Sequence, residues 1–142
     1  MDGFRVDPSS RTPPSEQIVE HLLDALSRGT FAAGDRLPSV RALAVEVLVN
    51  PNTVAKAYAE LDRQGVVAGR NGSGVYVTAE GPDCARSLRR ASTLQDFARA
   101  AAAALRAGHD AEGLRRALAD SSNQASRSTD THCETPQGAN QR

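Results

Sequence analysis

Residues Pro38 to Gly65 constrain this chain more than any other stretch, because they punctuate two short helices and the turn between them. Ser39 stands as an N-cap for the first, its hydroxyl available to a free amide of the opening turn, while Val40, Leu43, Ala44 and Val47 recur on one inward face. A break follows at Leu48-Val49. Asn50 then caps the second helix, Pro51 takes its first position, where a missing amide costs nothing, and Gly65 closes it in a left-handed conformation. Val54, Ala57, Tyr58 and Leu61 form the buried stripe, which leaves Asn52, Thr53, Ala55 and Lys56 exposed near the leading end. Two helices so related, the second offering short polar side chains and a cation, predict a helix-turn-helix whose second helix enters a DNA major groove.

The next residues extend that reading. Val66-Val67-Ala68 and Val75-Tyr76-Val77 are β-prone runs around Gly69-Arg70-Asn71-Gly72-Ser73-Gly74, and Asn71-Gly72 is a strong hairpin signal. The tip lacks bulky side chains, so its backbone can lie against phosphate or in a minor groove, with Arg70 as the charged contact. Upstream, Pro13-Pro14 ends a polar arm, and Ser15 is placed to cap a scaffold helix carrying Ile18, Val19, Leu22, Leu23 and Leu26. His21 reads as a surface or core-edge histidine on that helix. Phe31 is placed as a core plug, and Asp35-Arg36-Leu37 as a short third strand beside the hairpin. Arg5 and Arg11 lie in the arm, read as a solvated tail.

Composition bounds the function. The 142 residues have zero formal charge, and residues 1 to 80 carry eight Arg or Lys against ten Asp or Glu. DNA binding must therefore rest on placement: Arg36, Arg41, Lys56 and Arg70 fall on or beside the proposed DNA face, whereas Glu16, Glu20 and Asp24 lie on the scaffold helix. Few cations imply few phosphate contacts per protomer, hence a dimer. No run of eighteen apolar residues and no secretion signal is present, so the expectation is a cytoplasmic chain with no membrane role. Cys84 and Cys133 read as free thiols. His132-Cys133-Glu134 are too close in sequence to wrap one ion. No catalytic set or phosphate loop appears, so neither enzyme activity, cofactor nor metal is expected.

From Ser15 to Val77 the chain resembles the DNA-binding domain of the GntR family of bacterial transcription regulators. The residues that carry this are Gln17-Ile18, Gly34-Asp35-Arg36-Leu37-Pro38-Ser39, Arg41 with Leu43-Ala44, Thr53-Val54, Ala57-Tyr58, Leu61, Gly65 and Gly72-Ser73-Gly74-Val75-Tyr76-Val77. Asn50-Pro51-Asn52-Thr53-Val54 with a short carboxyl region is similar to the YtrA-like subgroup. The resemblance implies DNA contacts at Ser39, Arg41, Asn52, Thr53, Lys56 and the wing around Gly72, to which Arg36, Arg70 and Ser73 are added by their place beside it. Many relatives place arginines where this chain has Pro51 and Ala55. Arg41 suits guanine and Asn52 adenine, each bidentate pair worth about 1–3 kcal/mol of discrimination. Thr53 suits a phosphate or a thymine methyl, and Lys56, the chain's only lysine, a phosphate. Pairing of Arg41 with Glu46 or Asp62, and a hydrogen bond of Thr53 within its own helix, stand as alternatives. Tyr58 reads as core, with its hydroxyl in reach of a phosphate.

Beyond Thr78 the composition changes. Residues 79–82 read as a linker, and an alanine- and arginine-rich helix follows from about Asp83 to Ala107, with a shorter one after Gly108 capped by Asp110. Leu88, Leu94, Phe97, Ala101, Leu105, Leu114 and Leu118 are the candidate dimerisation residues, too few to bury a core within one chain. Arg86, Arg89 and Arg90 read as a solvated face, with flanking DNA as the alternative. Residues 121–142 are polar and read as disordered. The fold class expected is mainly α with a small β-wing: arm 1–12, winged helix-turn-helix 13–78, linker 79–82, helical dimerisation or effector module 83–120, tail 121–142. Function reads as a dimeric repressor on a palindromic double-stranded DNA operator. A small effector would have to bind between subunits or between the module and the DNA-binding domain. The alternative is a winged helix serving as a protein-interaction module.

Overall fold

The structure, a computed structural model, describes residues 3–70 and 72–129, with side chains through residue 124. Its elements run α1 (Pro14–Ser27), α2 (Val40–Glu46), α3 (Pro51–Arg63), β1 (Val67–Arg70), β2 (Gly74–Val77), α4 (Gly81–Arg106) and α5 (Ala111–Thr129). The expected class, mainly α with a small wing, is the one observed. The chain divides into two units, the first ending at Leu94 and the second beginning at Gln95.

Local chemistry sets the helix ends in the first unit. The Ser39 hydroxyl accepts from the Ala42 amide at 3.1 Å, and the Asn50 side chain accepts from the Asn52 amide at 2.8 Å. Gly65 has φ 73°, the left-handed turn that a glycine adopts at no steric cost. The start of α1 differs from expectation. Its N-cap is Pro13 and not Ser15, with no side-chain cap, and the Pro13 carbonyl accepts from Glu16 and Gln17 at 2.9 and 3.1 Å. Pro14 at N1 has no amide to leave unsatisfied and has a pre-set φ, so the Pro-Pro pair begins the helix by itself.

Both α1 and α2 pack on α3. The core joins Leu22 and Leu26 of α1, Leu43 and Val47 beside α2, Val54 and Leu61 of α3, and Val66, Val67 and Val77 at the wing base. Each such side chain contributes ~1.5–3 kcal/mol by leaving water. Strands β1 and β2 are antiparallel, with Ala68 opposite Tyr76 and Arg70 opposite Gly74. The Asp35–Leu37 segment joins the far edge of β2 as expected. Leu37 donates to the Val75 carbonyl and Val77 to the Asp35 carbonyl, both at 2.9 Å, around an Arg36–Tyr76 bridge.

Three expectations need correction. Residues 3–12 are no loose arm. The Gln17 side chain accepts from the Asp7 amide at 2.9 Å and donates to the Asp7 and Thr12 carbonyls at 2.9 and 2.8 Å. Phe4 stacks on His21 with ring centroids 3.9 Å apart. Burial there lowers the His21 pKa, with the Asp24 carboxylate opposing the shift.

The linker expected at 79–82 is shorter, because α4 already begins at Gly81. A Cβ on Gly81 would stand 2.4 Å from the Val66 carbonyl oxygen and 2.8 Å from Val77 Cγ1, so this glycine serves close approach rather than flexibility. Ala85 is fully buried, and Cys84 and Leu88 pack against the same core. The opening turns of α4 thus complete the first unit.

The tail expected from residue 121 is helical as far as Thr129. No glycine or proline falls between Leu114 and Thr129, so nothing interrupts α5 once it has started. Its start is as read: Gly108 has φ 97° and the Asp110 carboxylate accepts from the Gly113 amide at 2.7 Å. The rest of the tail, with His132-Cys133-Glu134, lies outside the described residues.

Candidate nucleic-acid interface

The buried stripe of α3 orients everything else on that helix. With Val54, Ala57, Tyr58 and Leu61 turned inward, Asn52, Ala55 and Lys56 are exposed and Thr53 is partly so. Tyr58 is core, as read, at only 4% exposed, and its hydroxyl donates to the Pro38 carbonyl at 2.7 Å, not to a phosphate. Desolvation first, then the Glu46 charge, raise its pKa, so it stays a neutral donor. That bond fastens α3 to the loop entering α2, where Ser39 caps and Arg41 projects exposed from the first turn.

The wing gathers the other candidates. Gly72 and Gly74 have φ 71° and 118°, which bends the tip without side chains in the way; Asn71, half of the hairpin signal, lies outside the described residues. The Arg70 guanidinium lies over the Tyr76 ring, 4.5 Å from its centroid. Tyr76 and Ser73 share a hydroxyl hydrogen bond of 2.9 Å. Arg36 crosses the α-carbon of Gly74, where an added Cβ would meet its Nε at 2.8 Å. Tyr76 was not among the site residues read from sequence. Its signal was the register: a residue diagonal to Arg70 across an antiparallel pair is within reach of a long side chain.

Ion pairing sorts the described cations into two groups. Arg28, Arg63, Arg86, Arg89, Arg99, Arg115 and Arg116 all stand in ion pairs with carboxylates. Among the described residues, Arg36, Arg41, Lys56 and Arg70 have no carboxylate partner; Arg5, Arg11, Arg90 and Arg106, elsewhere, are also unpaired. The alternative pairing of Arg41 with Glu46 or Asp62 is not formed, nor does the Thr53 hydroxyl bond within α3. Arg86 and Arg89, weighed as flanking DNA contacts, are held by Asp83 and by Asp24, the latter at 3.8 Å. The approach loop, α2, α3 and the wing thus each carry one unpaired cation, and a polyanion is a ligand that such cations attract. The exposed start of α3 is polar at Asn52 and Lys56, and the exposed Val45 and Leu48 stand beside Asn50 and Pro51.

Among the described residues, no group of three His, Cys, Asp or Glu could hold a metal, and no helix is long and apolar enough to cross a membrane.

A helix-turn-helix with a short wing and unneutralised cations on its approach loop, leading helix end and wing defines the winged-helix class of DNA-binding domains. Residues 14–77 match the family described as bacterial regulatory proteins, gntR family. The chain is 34% identical over 99 residues to the HTH-type transcriptional regulator Rv1152 of Mycobacterium tuberculosis, covering 70% of this chain and 82% of that one. Its fold superposes with a TM-score of 0.69 on a GntR family transcriptional regulator from Listeria monocytogenes, 30% identical, across 80% of this chain and 97% of that one. The chain belongs to the GntR family. It is also 45% identical over 75 residues to the HTH-type transcriptional repressor YtrA of Bacillus subtilis; that match spans 53% of this chain and only 58% of YtrA.

Proposed function

We propose that the chain is a homodimeric repressor that binds a palindromic operator, one recognition helix per half-site. The observation that carries this reading is the set of unpaired cations at Arg36, Arg41, Lys56 and Arg70 around the exposed start of α3. Arg41 would read guanine and Asn52 adenine. Thr53, Lys56 and Ser39 would fix the helix on the phosphates, and Gly72, Ser73, Arg70 and Arg36 would dock the wing. Dimerisation would use Leu94, Phe97, Ala101, Leu105, Leu114 and Leu118; Leu88 drops out, being committed to the core of its own protomer. Leu94, Phe97, Leu105 and Leu118 are 67%, 48%, 51% and 52% exposed in the single chain, which supports cover by a second copy. A YtrA-like repressor role follows from the relative of that name. An effector bound in a cleft between subunits would act by moving the two recognition helices off the ~34 Å spacing of successive major grooves.

The test is a titration, by fluorescence anisotropy, of the duplex upstream of the chain's own gene against a scrambled duplex, with an Arg41→Ala variant alongside. The reading expects two protomers per site and a variant that loses discrimination between the duplexes, by roughly 1–3 kcal/mol. Equal binding of both duplexes by the parent chain would contradict base reading.

A further inference from the structure

Among the described residues of the wing, Tyr76 meets both Arg70 and Ser73 with its side chain. On one side its strand pairs with β1, placing Ala68 opposite and Arg70 on the diagonal; on the other it bridges to Arg36. Its ring lies under the Arg70 guanidinium at 4.5 Å. Its hydroxyl meets the Ser73 hydroxyl at 2.9 Å and donates to the Ser73 carbonyl at 3.3 Å. The turn is closed by the Ser73 amide donating to the Arg70 carbonyl at 2.9 Å. Arg36 rests over Gly74, the only residue type that leaves it room.

Neither arginine is neutralised. The groups that hold them, an aromatic face and a bare α-carbon, leave their full charge available. A guanidinium held by an aromatic face also keeps its edge donors free for an anion, whereas one held by a carboxylate does not. Long arginine side chains otherwise lose much rotational freedom on binding.

We propose that Tyr76 is a positioning residue for DNA binding. Its ring and hydroxyl pre-set Arg70 and Ser73, and with Arg36 seated on Gly74 the wing becomes a two-arginine clamp for the phosphates bordering a minor groove. The proposal rests on the DNA-binding reading and adds a division of labour to it. The clamp reads backbone and groove shape, so it strengthens binding to any sequence, whereas Arg41 discriminates between sequences.

The experiment measures the affinity of the full chain for the upstream duplex and for a scrambled duplex across a salt series. The variants are Arg70→Ala, Tyr76→Leu, Tyr76→Phe, the Arg70→Ala/Tyr76→Leu double, and Arg41→Ala. Arg70→Ala should weaken both duplexes by a similar factor and reduce the salt slope by about 1 per bound protomer. Tyr76→Leu should cause a smaller loss of the same kind and no further loss in the Arg70→Ala background. Tyr76→Phe, which keeps the ring, should retain most of the affinity and all of the salt slope. Thermal unfolding of each variant identifies any loss that comes from the fold. Additive losses in the double variant, or a Tyr76→Phe defect equal to that of Tyr76→Leu, would overturn the proposal. A defect in Arg41→Ala with none in the wing variants would overturn it while leaving the DNA reading intact; failure of the parent chain to bind either duplex would remove both.

Discussion

The first unit, ending at Leu94, and the second, beginning at Gln95, differ in what they bury. Every buried side chain among the described residues lies in the first, from Ile18 to Ala85. The second has Phe97, Leu105 and Leu118 about half exposed, and its described ion pairs, Arg99–Asp96, Arg115–Glu112 and Arg116–Glu112, are local pairs along a helix. Such pairs stabilise a helix by only ~0.3–0.5 kcal/mol each. Tertiary packing holds the first unit, whereas the described ion pairs of the second are local and its large apolar side chains are half exposed.

Core truncation should separate the two most sharply. Leu22→Ala, at a fully buried site where α1 meets the core, should cost about 2–5 kcal/mol in urea unfolding. Phe97→Ala, at a 48% exposed site, should leave the unfolding of a dilute protomer nearly unchanged and instead weaken self-association. Comparable losses in both would break the contrast. Next comes the seam within α4. Gly81→Ala sets a methyl 2.4 Å from a backbone carbonyl, and should cost about 1–3 kcal/mol, read in the same urea titration. A neutral result would mean that α4 is not anchored to the wing base.

A smaller effect of opposite sign is expected at Leu48, between α2 and α3. It is 68% exposed with φ 57°, a left-handed backbone that costs a non-glycine residue about 1–2 kcal/mol. Leu48→Gly removes that strain at some cost in chain entropy, so a net gain of about 0.5–1 kcal/mol is expected from thermal unfolding. Smallest is the pH response of His21. Because burial lowers its pKa in the folded chain, the unfolded chain takes up protons first as pH falls below about 6.5. Stability therefore declines on acidification from pH 7 to 5, and the melting temperature of His21→Gln should vary less over that window. Asp7, also lowered, titrates further down, below its ordinary 3.8.

Sequence exposed what short-range chemistry decides. Ser39, Asn50, Pro51 and Gly65 each have one physical job, and the structure has each doing it. The inward stripes of α2 and α3 were legible for the same reason, since period and burial coincide there. Hidden from it was whatever depends on a distant partner. Gly81 looked like a linker residue because its reason for being glycine is a carbonyl fifteen positions earlier. The arm looked solvated because it is tied down by one glutamine on α1. Tyr76 passed as a strand residue because its role depends on Arg70 and Ser73 meeting it across the wing.

On the dimeric reading proposed above, the first unit folds on its own contacts whereas the second is ordered by association. Amide hydrogen exchange of the full chain, followed by mass spectrometry at concentrations from well below to well above dimer dissociation, tests it most directly. Protection of residues 14–77 should not depend on concentration, whereas protection of residues 95–129 should rise with it. Strong protection of residues 95–129 at the lowest concentration, with the chain shown to be monomeric there, would contradict the claim.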